Sequence, residues 1–272
     1  MKPDHGASLP DDAAVAGSAQ APRPGRVALR LAGLVATVVA SLGAASLVAL
    51  AAVRIGADLL DGIDPFLAPG QRPQLGMARL AAREIAVDVG RQLVLVALVI
   101  GVAFRRHGPG WRRRLGLDRT EPNGMRPRLL LAILLAWPLV HIAWVTGTAE
   151  VFGAAFGQGV RLSPALGPGT VAAWLVYAVV LAPVAEELLL RGEVFAQARG
   201  FLSPAAAIAV TAVLFAAAHV SAFGLARPVS LLPLALMLGW LRWRTGRLWP
   251  SICLHGWSNL ALIAYLLWPG LP

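Results

Sequence analysis

Long runs without a charged side chain dominate the pattern of hydrophobic and polar positions. Residues 31–53, 162–185 and 248–272 each contain no Asp, Glu, Lys or Arg. A helix that crosses the hydrocarbon core of a bilayer needs about 20 predominantly apolar residues. Each of these runs is long enough, so the pattern predicts helices that span a membrane.

Seven apolar segments follow one another along the chain. They lie at residues 27–53, 85–104, 129–148, 169–189, 204–223, 228–243 and 249–268. We see no internal repeat and no broken helices at matching positions, which argues against a transporter built from repeats. The expected fold class is therefore all-α, a polytopic transmembrane helix bundle of about seven spans.

The composition agrees with a membrane protein and changes the interpretation of the charge. The chain is 57% hydrophobic and 14% charged, whereas a soluble domain carries about 25% charged residues. The net charge of +10 would suit nucleic acid, but the basic residues lie mostly between the apolar segments. There they would meet lipid headgroups. We expect the lipid bilayer as a partner and no nucleic acid.

The distribution of basic residues predicts the orientation. The loop at residues 105–128 contains the string RRHGPGWRRR, and cytoplasmic loops are enriched in Lys and Arg. When this loop is placed in the cytoplasm, most basic residues fall on the cytoplasmic side. We expect a multi-pass protein of the cell membrane with a cytoplasmic amino terminus. Residues 1–25 are polar and rich in Pro, Ala and Gly, which predicts a disordered cytoplasmic tail.

Acidic residues are rare in the second half of the chain. After Asp118 there is no aspartate, and two of the five glutamates, Glu186 and Glu187, are adjacent in the string PVAEELLLRG. A charged group at the centre of a membrane helix costs about 2.5–3.5 kcal/mol and is a functional candidate by default. Glu187 and Arg191 are four residues apart, so we expect them to pair. Glu186 points elsewhere and would be free to act as a general base.

Two histidines occur with polar or aromatic companions in separate apolar segments. His219 ends the string FAAAH, one turn after Phe215, and His255 begins the string HGWSN, one turn before Asn259. Three helices that each offer an inward polar group can build a site in the core of a bundle. We therefore expect an active site between helices of the C-terminal half.

These residues support two kinds of chemistry. A water molecule between Glu186 and His219 could attack a peptide carbonyl, while His255 and Asn259 stabilise the oxyanion. Alternatively, Glu186, His219 and His255 could hold a divalent metal such as zinc, with an open position for water. The sequence does not choose between a site without a cofactor and a metal site.

The strings EELLLR, FAAAH and HGWSN, in this order, resemble the CAAX protease and bacteriocin-processing family of intramembrane endopeptidases, also called CPBP or Abi. The family pattern is EExxxR, then FxxxH, then HxxxN or HxxxD. It falls here on Glu186, Glu187 and Arg191, on Phe215 and His219, and on His255 and Asn259. The resemblance covers residues 171–267.

The resemblance implies an intramembrane peptidase, of glutamate type or metal-dependent, that hydrolyses peptide bonds of substrates at the membrane. Its best-known substrates are prenylated proteins of the CAAX type. The catalytic residues would be Glu186, Glu187, Arg191, His219, His255 and Asn259. Residues 131–272 would then form the catalytic helix bundle, preceded by N-terminal spans and loops at residues 26–130.

The alternative function is a non-catalytic membrane protein, either a bacteriocin self-immunity factor or a scaffold that binds peptides. Other intramembrane proteases are disfavoured because the chain has no HExxH and no GxSxG string. We expect Asp88 and Arg91, three residues apart, to form a structural ion pair, and His141 to be a core residue.

Overall fold

A computed structural model of the chain describes residues 24–118, 125–153, 167–220 and 224–267. The described residues form helices and no β-strand, which confirms the all-α prediction. The predicted disordered tail lies almost entirely outside the described residues. Its last two positions, 24 and 25, already belong to the first helix.

The helices follow the predicted apolar segments closely. We number them α1 to α8 in chain order: Pro24–Leu60, Met77–His107, Trp111–Leu115, Pro127–Phe152, Pro168–Ala198, Pro204–Ala217, Ala226–Thr245 and Trp249–Leu267. Apart from the short α3, each helix corresponds to one of the seven predicted spans.

Five of the described helices are long and apolar enough to cross a membrane, namely α1, α2, α4, α5 and α8. Helix α6 has only 14 residues, so it is too short by this criterion. Helix α7 has 20 residues, but Arg227, Arg242 and Arg244 lower its apolar character. The chain is thus a polytopic helical bundle, as predicted, in which two of the seven predicted spans are shorter or more polar than a typical span.

Helix α5 continues beyond its predicted end. The predicted span ends at residue 189. Instead the helix runs to Ala198, and residues 187–195 are all buried. The polar side chains of Arg191 and Glu193 lie inside the protein, where they contact other polar groups. The helix therefore does not end where hydrophobicity ends.

The N-terminal helices α1 and α2 form an antiparallel pair. Gly90 faces Ala49 across the pair, where an added Cβ would lie 3.5 Å from the Cβ of Ala49, an ordinary van der Waals distance. The connection between them is held by ion pairs around Asp58, whose side chain is fully buried between Arg72 and Arg83. Arg83 also pairs with Asp61 at 2.6 Å.

A buried arginine ties the end of α5 to its surroundings. The Nε of Arg242 on α7 donates to the carbonyl of Arg191 at 3.0 Å, and one of its terminal nitrogens donates to the carbonyl of Gly246 at 2.5 Å. Gly116, after α3, packs against this guanidinium and adopts a φ of 76°. A Cβ there would lie 2.6 Å from the Cζ of Arg242.

We predict that Gly116→Ala destabilises the protein by about 1–2 kcal/mol, because alanine is strained in the left-handed conformation and would also displace Arg242. Unfolding in detergent, followed by circular dichroism, would measure the loss. Gly110→Ala is the control, since Gly110 has a φ of −79° and nothing within 4 Å of an added Cβ. Equal stabilities of the two variants would contradict this account of the α3–α7 contact.

Candidate active site

Helix α5 departs from α-helical hydrogen bonding on both sides of the adjacent glutamates. The segments Tyr177–Leu181 and Leu188–Val194 are π-helical. Pro183, between them, has no N–H group to donate. The N–H of Ala182 bonds the carbonyl of Tyr177, five residues earlier. The carbonyl of Ala178 therefore lacks a donor from its own helix, because neither residue 182 nor residue 183 supplies one.

Helix α8 packs against this interruption. The amide nitrogen of Asn259 donates to the carbonyl of Ala178 at 2.8 Å. One turn earlier, Gly256 lies against the carbonyl of Val179, and a Cβ at residue 256 would be only 2.4 Å from that oxygen. A glycine and an asparagine thus allow α8 to lie directly on the backbone of α5. This contact carries His255 to the two glutamates.

Glu187 is the centre of a buried polar network. Its Oε1 accepts a hydrogen bond from Arg191 at 2.8 Å and lies 3.1 Å from the Nδ1 of His255. The side chains of Glu187 and Arg191 are both 0% exposed. The pairing of Glu187 with Arg191, expected from their spacing, is confirmed.

Arg191 makes further contacts that offset the cost of burying its charge. A terminal nitrogen donates to the carbonyl of Ala235 on α7 at 2.9 Å. The Cζ lies 4.7 Å from the centre of the Phe215 ring on α6, a cation–π distance. Arg191 therefore joins α5 to two other helices as well as to its own glutamate.

Glu186 differs from its neighbour in exposure and in contacts. Its side chain is 19% exposed, and its Oε2 lies 3.9 Å from the Nε2 of His255. The imidazole of His255 thus lies between two carboxylates, with one ring nitrogen facing Glu187 and the other facing Glu186. The partly accessible carboxylate is the one that could meet a water molecule or a substrate.

His219 lies in a turn two residues after the end of α6, whereas we expected it within a helix that continues to residue 223. Its Nδ1 lies 2.8 Å from the carbonyl of Phe215. Because a carbonyl can only accept, Nδ1 is the donor, and Nε2 of a neutral ring is then free to accept a proton. The Phe215 ring contacts His219 at 4.7 Å and His255 at 5.5 Å between ring centres.

The structure therefore brings most of the predicted site residues together. Glu186, Glu187, Arg191 and His255 form one polar cluster, and His219 is joined to it through the Phe215 ring. Asn259 differs, because its amide contacts the backbone of α5 at Ala178. A role for Asn259 at the oxyanion remains a prediction.

The metal site was one of two alternatives that the sequence left open, and it can be compared with the ligands that the structure places together. In the part of the chain that the structure describes, no group of three or more His, Cys, Asp or Glu side chains could hold a metal ion. Glu186, His219 and His255 do not form such a set, so we derive no step through a metal.

Three polar residues outside the cluster have the contacts that we expected. His141 is buried and lies 2.5 Å from the Oγ of Ser258, as a core residue does. Asp88 and Arg91 pair at 3.0 Å, and Arg91 also donates to the hydroxyl of Tyr177 at 3.3 Å.

Sequence reasoning missed three residues that position the site, namely Pro183, Gly256 and Arg242. A proline four residues before the buried acid Glu187, inside a segment otherwise typical of a span, is a signal for an interrupted helix. Gly256 lies within the string HGWSN, but the sequence does not show that it packs against Val179. Nothing in the sequence points to the Arg242 contact, which joins residues 51 positions apart.

The comparison with known families agrees with the motifs. Residues 168–261 match the family described as Rce1-like, type II CAAX prenyl endopeptidase Rce1-like. No curated protein and no solved structure matches the chain. The matched segment begins with α5 and contains all six predicted catalytic residues. The resemblance to the CAAX protease family is thereby confirmed, and the match supports an endopeptidase of the CAAX type in a membrane.

We predict that Arg191→Gln destabilises the protein by about 3–5 kcal/mol, because it leaves the buried Glu187 carboxylate without its cation. Thermal unfolding in detergent would show the loss. Arg79→Gln removes an arginine that is 65% exposed and pairs with Asp61 at 3.4 Å, and it should cost about 1 kcal/mol at most. Equal losses in the two variants would refute the structural role of Arg191.

We predict that Gly256→Ala costs about 1–3 kcal/mol, as overpacking of a tight contact does, since the methyl group must push α8 away from Val179. Gly101→Ala on α2 is the control, because an added Cβ there meets nothing within 4 Å. Stability is measured in the same detergent for both. A fully stable Gly256→Ala variant would show that α8 does not lie directly on the α5 backbone.

Proposed function

We propose, with the match to the CAAX prenyl endopeptidases as the premise, that this chain is an intramembrane peptidase whose general base is Glu186. The observation that carries the proposal is the different environment of the two adjacent glutamates. Glu187 is fully buried and bonded to Arg191, whereas Glu186 is partly exposed and faces the same histidine. The Glu187 carboxylate has a structural role through its bond to Arg191, and the Glu186 carboxylate is accessible to take part in the reaction.

Hydrolysis needs a base that takes a proton from water and later returns it. In the proposed reaction, the water oxygen attacks the carbonyl carbon of the peptide while its proton passes to Glu186. The tetrahedral intermediate then collapses, the C–N bond breaks, and the proton is delivered to the leaving amine. Such general acid–base catalysis contributes about 10²–10⁴-fold to a rate.

His219 assists Glu186 in orienting the water. Its Nδ1 is used by the carbonyl of Phe215, which leaves Nε2 as an acceptor for a proton of the attacking water. Because its partner is a backbone carbonyl on a buried residue, the ring orientation is held by the fold. A histidine in this state can accept a hydrogen bond without carrying a charge.

His255 stabilises the oxyanion in the proposed reaction. This role requires a proton on each ring nitrogen of His255, and Glu187 is placed to accept the one on Nδ1. The proton on Nε2 is then available for the developing negative charge, a contribution of about 3–4 kcal/mol for one donor in a measured case. Asn259 has a second amide proton for the same purpose, since Ala178 uses only one.

The substrate class to be tested first is a peptide with a prenylated cysteine near its carboxyl terminus, which the description of the matched family suggests. We place the protein in the cell membrane with its amino terminus in the cytoplasm. In this arrangement, residues 131–272 form the catalytic bundle, and the preceding spans support α5 through contacts such as Arg91 to Tyr177.

We predict that Glu186→Gln lowers peptide hydrolysis by about 10²-fold or more, because the amide cannot take a proton from water. The measurement is cleavage of a farnesylated peptide by the protein in liposomes, followed by mass spectrometry. Glu150→Gln, at an exposed glutamate near the end of α4, is the matched control and should retain activity.

The result that would contradict the peptidase proposal is full hydrolysis by Glu186→Gln. If the wild-type protein leaves the farnesylated peptide intact, the substrate assignment is wrong. Membrane peptides from cells that express the wild-type protein or Glu186→Gln would then be compared. Identical peptide profiles in that comparison would favour a non-catalytic binding protein.

A further inference from the structure

A groove separate from the glutamate cluster lies between α1, α2 and α5. It has a volume of about 440 Å³. The side chains that line it come from all three helices: Ala36, Thr37, Ala40, Ser41, Ala44, Leu98, Val99, Val102, Arg106, Leu189 and Glu193. None of them belongs to the proposed catalytic residues.

The walls of the groove are mostly apolar. On α1 they consist of small side chains, with Ala36, Ala40 and Ala44 spaced one turn apart and exposed. Eight residues of helix correspond to about 12 Å along the axis. The hydroxyl of Thr37 donates to the carbonyl of Gly33 at 2.9 Å, so its polar group is satisfied within α1. A channel of this kind in a membrane helix bundle fits a hydrocarbon chain.

One end of the groove carries two charges of opposite sign. The Glu193 side chain is 5% exposed, its Oε1 accepts a hydrogen bond from Gln197 at 2.7 Å, and its Oε2 has no hydrogen-bond partner among the described residues. Arg106 lies 3.9 Å from the same carboxylate and is 60% exposed. A buried carboxylate oxygen without a donor is costly, so a ligand that brings an N–H group to this end would be stabilised.

We propose that this groove binds a phospholipid whose headgroup contains a primary amine, with phosphatidylethanolamine as its chemical type. The ammonium group donates to Glu193 Oε2, the phosphate lies against the Arg106 guanidinium, and one acyl chain follows the α1 wall toward Ala44. The choice rests on charge complementarity. A choline headgroup has no N–H to donate, and a glycerol headgroup places no positive charge beside Glu193.

The position of the charged end agrees with a lipid headgroup. Arg106 belongs to the last turn of α2, which leads into the basic string at residues 105–114. Arginines and tryptophans such as Trp111 concentrate where a span meets the headgroup region. The hydrocarbon part of the groove then extends inward from that level.

The groove also contacts the helix that carries the glutamate cluster. Leu189 lines the groove and lies on α5 between Glu187 and Arg191, within the π-helical segment Leu188–Val194. A bound lipid would therefore pack against the same turn of helix that holds the buried ion pair. We expect lipid binding to raise the thermal stability of the protein by mass action.

The experiment measures which lipid stays bound. The full-length protein is purified from micelles with equal amounts of phosphatidylethanolamine, phosphatidylglycerol and phosphatidylcholine, and the bound lipids are quantified by native mass spectrometry. We expect enrichment of phosphatidylethanolamine by about threefold, the size of one partly screened charged contact. Glu193→Gln should abolish the preference, and Ala40→Leu, which fills the groove, should abolish binding.

The controls are Glu150→Gln, which removes a carboxylate elsewhere, and Ala52→Leu, which enlarges an exposed alanine of α1 outside the groove. Both should bind lipid as the wild-type protein does. Equal retention of the three lipids, or enrichment that survives both Glu193→Gln and Ala40→Leu, would overturn the proposal. The proposal would also be overturned if the wild-type protein is a dimer and Ala40→Leu is a monomer, since a second copy of the chain would then occupy the groove. The readout needs no peptidase activity, so it is independent of the proposed catalysis.

Discussion

The rest of the site depends on the buried ion pair between Glu187 and Arg191. Two charges without solvent are costly unless further hydrogen bonds satisfy them. Here those contacts come from four helices. Arg191 donates to the carbonyl of Ala235 on α7 and lies over the Phe215 ring on α6. Glu187 accepts from Arg191 on its own helix, α5, and faces His255 on α8. Moving α6, α7 or α8 would remove one of the contacts that offset the burial of this pair, so the pair constrains the positions of these three helices around α5.

The interrupted backbone of α5 is a second constraint, and it also fixes the position of a neighbouring helix, α8. Within a bilayer there is little hydrophobic drive for helices to associate, so close packing and polar contacts decide the arrangement. Pro183 leaves the carbonyl of Ala178 without a donor from its own helix, and Asn259 supplies one. Gly256 permits the short distance that this bond requires. The two constraints together place His255 between the buried carboxylate of Glu187 and the partly exposed carboxylate of Glu186.

The N-terminal helices have a supporting position in this arrangement. Arg91 of α2 reaches Tyr177 at the first π-helical segment, and Leu189 at the second lines the groove shared with α1 and α2. The division of the chain at residue 130 into supporting and catalytic parts remains a proposal. The contacts nevertheless show that α5 is held from both sides, by α2 on one and by α7 and α8 on the other.

The helical class, the approximate segments and the pairing of Glu187 with Arg191 could be predicted from the sequence, because apolar run length and a spacing of four residues are local properties. The motif residues could also be recognised as one set from the sequence, and all of them lie within the matched segment, residues 168–261. Three features could not be predicted in this way: α5 continues past Arg191, His219 lies beyond α6, and Asn259 bonds a backbone carbonyl. These features depend on partners distant in the chain: a polar residue extends a helix when another helix satisfies it, and an amide bonds whichever carbonyl the packing leaves free.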